Sequence, residues 1–224
     1  MVIYQLHTMM GVILFPDMCC NVKKILAISA SSHELSINRN LLEVATSDIK
    51  GIAVDSLDMR YVLLPLYNED NQRVLGFPER LSGIKSTIRD YDGYIIATPE
   101  HNGLMPAAFK NLLDWLARAC KNEVALFGNK PVLIMSTSRN KSGGATNLSI
   151  MEKVLPLQGA KVVGSYSLGS FYDAFKDGKL NISEQVKLDT ELSRFLRDVS
   201  PHATSGVRPQ SFSQQPVFEF KNLI

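Results

Sequence analysis

At 224 residues, with 45% hydrophobic and 21% charged residues, the chain has the makeup of one soluble globular domain with room for a tail. Its 24 basic and 22 acidic residues nearly cancel to a net charge of +2, which argues against a nucleic-acid binder with its strong basic excess. The three cysteines, Cys19, Cys20 and Cys120, have no metal-ligand or disulfide-framework spacing, so reduced thiols, a cytoplasmic setting and no metal are expected.

Residues 1–21 hold an apolar run, Met9 to Phe15, with no basic n-region, no cleavage site and no bilayer-spanning length. They read as an extension ahead of the domain, and no membrane contact is expected. KILAIS, Lys24 to Ser29, is a short buried strand. Ser36 suits an N-cap for a helix whose stripe is Ile37, Leu41, Leu42, Val44 and Ala45. A second strand opens at Ile52 and ends near Leu57, and LPLYNEDNQ follows as a loop. Pro78 to Arg89 predicts a helix, and Gly93 to Ala97 a third strand. From Pro106, a helix carries Phe109, Leu112, Leu113, Leu116 and Cys120 on its core face. Pro131 to Met135 is a fourth strand, Ala145 to Leu157 a fourth helix, Lys161 to Val163 a weak fifth strand, and Ile182 to Val199 a last helix. Residues 200–224 read as a tail rich in Ser, Pro and Gln. Strands and helices alternate, and the strands are continuous apolar runs. That predicts a doubly wound, five-stranded parallel sheet of flavodoxin-like α/β type, order 2-1-3-4-5, spanning 22–199.

Ligands of such sheets sit outside the carboxyl ends of the strands, where the strand order reverses. Two loops meet there. Ala30 to Asn38, ASSHELSIN, offers the hydroxyls of Ser31, Ser32 and Ser36, the imidazole of His33, the amide of Asn38 and the start of a helix. This set suits a terminal monophosphate, although the GxGxxG and Walker patterns are absent. Taken alone, the loop reads more strongly as a helix cap at Ser36 with the other serines as filler. Pro99 to Met105 begins PEHNG: Pro99, Glu100, His101, Asn102 and Gly103. Its glycine lets backbone approach a flat ring closely, or merely permits a tight turn. A third loop, Ser136 to Asn147, is polar and glycine-containing and is expected to be flexible. It would form a side wall of the crevice, with Arg139 and Lys141 able to meet an anionic group.

PEHNGLMPAAFKNLLDWL resembles the P-E-Y-N-G-x-x-P-x-x-x-K-N-x-x-D-W-L motif of the NAD(P)H-dependent FMN reductase family. SASSHELSINRNLL resembles that family's phosphate loop, and LPLYNED its segment after the second strand. The likeness runs from about Val22 to Leu168. It implies bound FMN, with NADPH or NADH as electron donor and a small-molecule electron acceptor: a quinone, a flavin, an azo compound or a metal oxyanion. By resemblance, Ser31, Ser36 and Asn38 hold the phosphate, with His33 where the family has arginine. Pro99 to Gly103 line the ring, with His101 where the family has tyrosine, and Ser136 borders it. No side chain is required as a catalytic acid or base, since the flavin carries the chemistry. Asp114 and Trp115 stand where the family packs its subunits, which implies a homodimer or homotetramer. The rival reading is a flavodoxin-like FMN electron carrier serving protein partners; the net charge of +2 counts against it, because such carriers are strongly acidic.

Overall fold

Three apolar runs, LAI, YIIA and VLIM, have enough β-branched and aliphatic residues to be buried on both faces, and they form the centre of the sheet. The computed structural model describes residues 22–121 and 123–200. The expected extension over 1–21, with Cys19 and Cys20, and the tail over 201–224 lie outside the described residues. The strands are β1 (Lys24–Ser29), β2 (Ala53–Asp58), β3 (Gly93–Ala97), β4 (Lys130–Thr137) and β5 (Ala160–Leu168), all parallel, in the order β2-β1-β3-β4-β5. This is the flavodoxin-like order expected from the sequence. Register places Ser29 between Asp58 and Ala97, so the carboxyl ends of β1, β2 and β3 are level.

Alternate residues of a strand point to opposite faces. Leu26, Ile28, Tyr94, Ile96, Val132 and Ile134 pack on one side, against helices α3 (Glu79–Arg89), α4 (Ala107–Ala119) and α5 (Ala145–Val154). Ile25, Ala27, Ile95, Ala97, Leu133 and Met135 pack on the other, against α1 (Ile37–Ser47) and α7 (Ile182–Val199). The edge strands are only half buried, which is why β5 was so faint in the sequence. It runs to nine residues rather than three, and its polar letters face outward.

Two other segments depart from expectation. LPLYNEDNQ is not all loop, because Glu69–Leu75 forms α2, capped by the Asn68 side chain accepting from Asn71 N at 3.0 Å. This helix buries no residue, so no apolar stripe announced it. After β5 come a four-residue helix, α6 (Phe171–Ala174), and a hairpin of β6 (Phe175–Lys176) and β7 (Lys179–Leu180). Trp115 is 3% exposed, so it is a core residue of its own chain rather than an edge awaiting a partner. Its Nε1 donates to Pro65 O at 2.8 Å, and the Tyr67 ring meets it edge-on. Asn111 accepts from Tyr67 N at 2.7 Å and donates to Pro65 O at 3.0 Å. Together they clamp the segment after β2 onto α4. Asp114 pairs with Lys110 on the surface.

Candidate functional site

Polar side chains are costly to bury unless they serve structure or a ligand. Among the described residues the buried polar side chains are Ser29, Ser31, Ser36, Asn38, Thr46, Thr98, Ser136, Thr137 and Asn147. All but Thr46 lie at the carboxyl ends of β1, β3 and β4 or at the helix starts that follow. The polar residues thus converge at the switch point. Three phenols are strongly shifted: Tyr166 on β5 donates to Glu184 Oε2 on α7 at 3.0 Å, and the other two lie at the far end of the sheet. Burial, the largest cause, pushes Tyr91 and Tyr94 well above the ordinary range, and both sit at the amino end of β3. They are packing residues, not site residues.

The loop after β1 is wound around its own side chains. Ser31 Oγ accepts from His33 N at 3.2 Å, and His33 Nδ1 accepts from Leu35 N at 3.0 Å. With Nδ1 accepting, Nε2 is the ring nitrogen left to donate to a ligand. Ser36 is the N-cap of α1, its Oγ accepting from Arg39 N. The earlier N–H groups of that helix are left for a ligand. Asn38 has a different role from the one expected. Its Nδ2 donates to Thr137 O at 3.0 Å and its Oδ1 accepts from Thr137 N at 2.9 Å. Its side chain is therefore committed to joining α1 to β4, and only its backbone N–H remains for a phosphate.

PEHNG contains a two-residue hairpin turn. His101 N donates to Leu104 O at 2.8 Å and Leu104 N to His101 O at 3.1 Å. Asn102 and Gly103 have φ of 52° and 82°, both positive, as a type I′ turn demands. Asn-Gly is the favoured pair for that turn, which explains those two letters. Among the described residues, the N–H groups of Asn102 and Gly103 have no acceptor, and the turn follows the carboxyl end of β3. His101 is exposed. Glu100 is half-buried and committed, its Oε2 accepting from Asn147 N at 3.0 Å in the first turn of α5. A carboxylate is favoured at that end of a helix.

The third loop is ordered by its own polar groups. Asn140 Oδ1 accepts from Ser138 Oγ, Ser142 Oγ and Ser142 N, and Gly143 N donates to Ser138 Oγ at 3.0 Å. Asn147 then reaches back with Nδ2 to Pro99 O at 3.2 Å. The loops after β3 and β4 are thereby stitched together, a link that no local pattern carried. Ser136 is fully buried beneath Gly144. It supports the crevice wall and does not face a ligand, because the glycine backbone covers it. Arg139 lies over the Tyr172 ring, and Lys141 is exposed. Beside the phosphate loop runs a groove of about 680 Å³ lined by Ser32, Glu34, Met59, Arg60, Tyr61 and Ala108, among others. No cluster of metal-ligating side chains occurs among the described residues.

The donor set fits a flavin phosphate and ring. Free hydroxyl, imidazole and helix N–H donors gather on one loop, and two unpaired turn N–H groups stand on the neighbouring one.

Comparison with known proteins agrees with this geometry. The family model "NADPH-dependent FMN reductase" matches residues 23–173. A quinone reductase of Escherichia coli (strain K12) is 33% identical over 127 residues, 57% of this chain and 64% of that protein, so the chain spans just under two thirds of that relative's length. The CrdA subunit of NADH:(hydroxy)cinnamate reductase from Vibrio ruber is 30% identical over 177 residues, 77% of this chain and 83% of that one. The structure of FerB, a flavoenzyme NAD(P)H:(acceptor) oxidoreductase from Paracoccus denitrificans, shares the fold with a TM-score of 0.65 at 23% identity, covering 81% of this chain and 99% of that one. The family match runs unbroken from Lys23 at the head of the sheet to Asp173 within α6, taking in all three crevice loops, and the chain belongs to the NADPH-dependent FMN reductase family.

Proposed function

We propose that this protein is an FMN-dependent NAD(P)H oxidoreductase, with residues 22–199 as its FMN-binding domain, that reduces a small acceptor of quinone type. One observation carries the reading: at the switch point of the sheet, a donor-rich loop on a helix start follows β1, and a type I′ turn with two unpaired N–H groups follows the adjacent β3. When bound, FMN supplies the redox chemistry, taking hydride from NAD(P)H and passing electrons on to the acceptor. Ser31 and Ser36, His33 Nε2–H and the free N–H groups at the start of α1 hold the phosphate. The Asn102 and Gly103 N–H groups meet the polar edge of the ring, with Pro99 and His101 beside them. Glu100 moves no proton, since its carboxylate serves α5. Arg139 and Lys141, on the loop after β4, would be the cations that meet a nucleotide phosphate. That the E. coli relative is a quinone reductase supports a quinone as the acceptor.

The test is optical. The purified protein, loaded with FMN, is expected to lose its flavin absorbance within seconds of anaerobic NADPH or NADH addition and to regain it on adding a quinone. Bleaching by dithionite alone would favour the electron-carrier reading, and failure to retain FMN would reject both.

Leu63, Leu66, Val74, Leu75 and Phe77 are exposed along one stretch of chain, from the segment after β2 through α2 to the start of α3. Apolar groups gathered in this way mark a contact surface. We propose that a second copy covers them in a homodimer or homotetramer. Sedimentation equilibrium is expected to give an oligomer for the wild type and a monomer for Leu75→Glu; a monomeric wild type would refute this.

A further inference from the structure

We propose that Arg39 is a positioning residue that sets the phosphate loop through His33, and so makes the site select a phosphorylated flavin over its dephosphorylated form. The inference rests on the FMN reading above. It assigns the selectivity to a residue that contacts no ligand.

Arg39 stands in the first turn of α1 and folds back over the preceding loop. Its Nη1 donates to Glu34 O at 2.7 Å and its Nη2 to His33 O at 3.0 Å. Its Nε lies 3.1 Å from Asp58 Oδ2 at the end of β2, and the two side chains are only 15% and 16% exposed. Asp58 is fixed in turn by Arg60, whose backbone N and side-chain Nε both donate to it at 2.9 Å. One guanidinium therefore ties two loop carbonyls to the neighbouring strand. Among the described residues, no other cation hydrogen-bonds to this loop.

A trans peptide is planar, and its N–H points away from its C=O. Holding the His33 carbonyl on the guanidinium turns the Glu34 N–H to the opposite side, where it has no acceptor among the described residues. Holding the Glu34 carbonyl likewise sets the Leu35 N–H, and that group donates to His33 Nδ1 at 3.0 Å. This last bond fixes the ring and leaves Nε2–H as its free donor. Two donors are thus aimed by one side chain: the Glu34 N–H directly, and the His33 imidazole by relay. Lysine cannot reproduce this, because the relay needs several N–H groups in one rigid plane. A riboflavin hydroxyl makes little use of these donors, whereas a phosphate takes several at once.

The test compares FMN with riboflavin. The full chain is stripped of flavin and titrated with each by fluorescence quenching, as wild type, Arg39→Lys, Asp58→Asn and His33→Ala. Arg39→Lys is expected to weaken FMN by about tenfold or more, as loss of charge-assisted hydrogen bonds implies, and riboflavin by less than about twofold. Asp58→Asn, which keeps the guanidinium but removes its anchor, is expected to shift FMN in the same direction and to leave riboflavin alone. It carries the test if the lysine variant does not fold. In a His33→Ala background the effect of Arg39→Lys is expected to shrink by at least about threefold, as coupled residues require. Unchanged FMN affinity, a parallel fall for both flavins, or full additivity with His33→Ala would overturn the proposal. A wild type with no preference for FMN over riboflavin would instead reject the phosphate-loop reading itself.

Discussion

Gly144→Ala is expected to cost about 2 to 5 kcal/mol of stability and to abolish flavin retention. Gly144 has a φ of +77° and precedes the first turn of α5. Two terms add. An alanine in the left-handed region costs about 1–2 kcal/mol. The added Cβ would also stand 1.9 Å from Ser136 Oγ and 2.8 Å from Ser136 Cβ, overlaps that no rotamer of a fully buried serine escapes. Overpacking of this kind costs a further 1–3 kcal/mol or so. Relief would come by pushing β4 and α5 apart, which breaks the Glu100 and Asn147 bonds and opens the crevice wall. Urea unfolding of the wild type, Gly144→Ala and the double variant Gly144→Ala/Ser136→Gly measures this. The double variant removes the overlap and is expected to recover all but the backbone strain. A Gly144→Ala protein within about 0.5 kcal/mol of wild type, the range of an ordinary surface change, would show the close approach to be unimportant.

Asn38→Ala is expected to cost about 3 kcal/mol, more than is usual for removing a polar side chain. Asn38 and Thr137 are each about 2% exposed, and the amide satisfies both the N–H and the C=O of Thr137. Removing it leaves a donor and an acceptor unpaired where water cannot reach. Asn38→Asp separates the two. The carboxylate still accepts from Thr137 N, but it turns an oxygen toward Thr137 O. Its cost is expected to equal or exceed that of alanine, despite its near-identical shape. Equal stability for aspartate and asparagine would mean that the Thr137 carbonyl finds another donor. FMN affinity is expected to follow stability here, because the amide joins the two walls of the crevice and touches no ligand.

The contrast between Asn38 and PEHNG shows which parts of the site were legible in the sequence. Asn102 and Gly103 announce a type I′ turn because that turn's dihedral demands are local. Ser36 announces a cap for the same reason. Asn38 and Glu100 look like ligand groups in the sequence. Their true partners are Thr137 and Asn147, which only the fold brings near. The same division holds for the architecture. The central strands, buried on both faces, are legible almost to the residue. The half-exposed β5 is only partly legible, and α2 carries no apolar stripe because it packs nothing inside the chain. The β6–β7 hairpin did carry a local signal, Asp177-Gly178, whose φ values of 50° and 78° again fit a type I′ turn. Chemistry-bearing letters at a switch point thus fall into two groups: those that meet a ligand, and those that hold the loops in place to meet it.

The bonds that Asn147 donates to Pro99 O and to Glu100 Oε2 have a thermodynamic consequence. Ordering a loop costs conformational entropy whenever it happens. Here the wall built from the loops after β3 and β4 is ordered by folding, before any partner arrives. An incoming ring therefore does not carry that cost, and its free energy of association keeps what a floppy wall would have consumed.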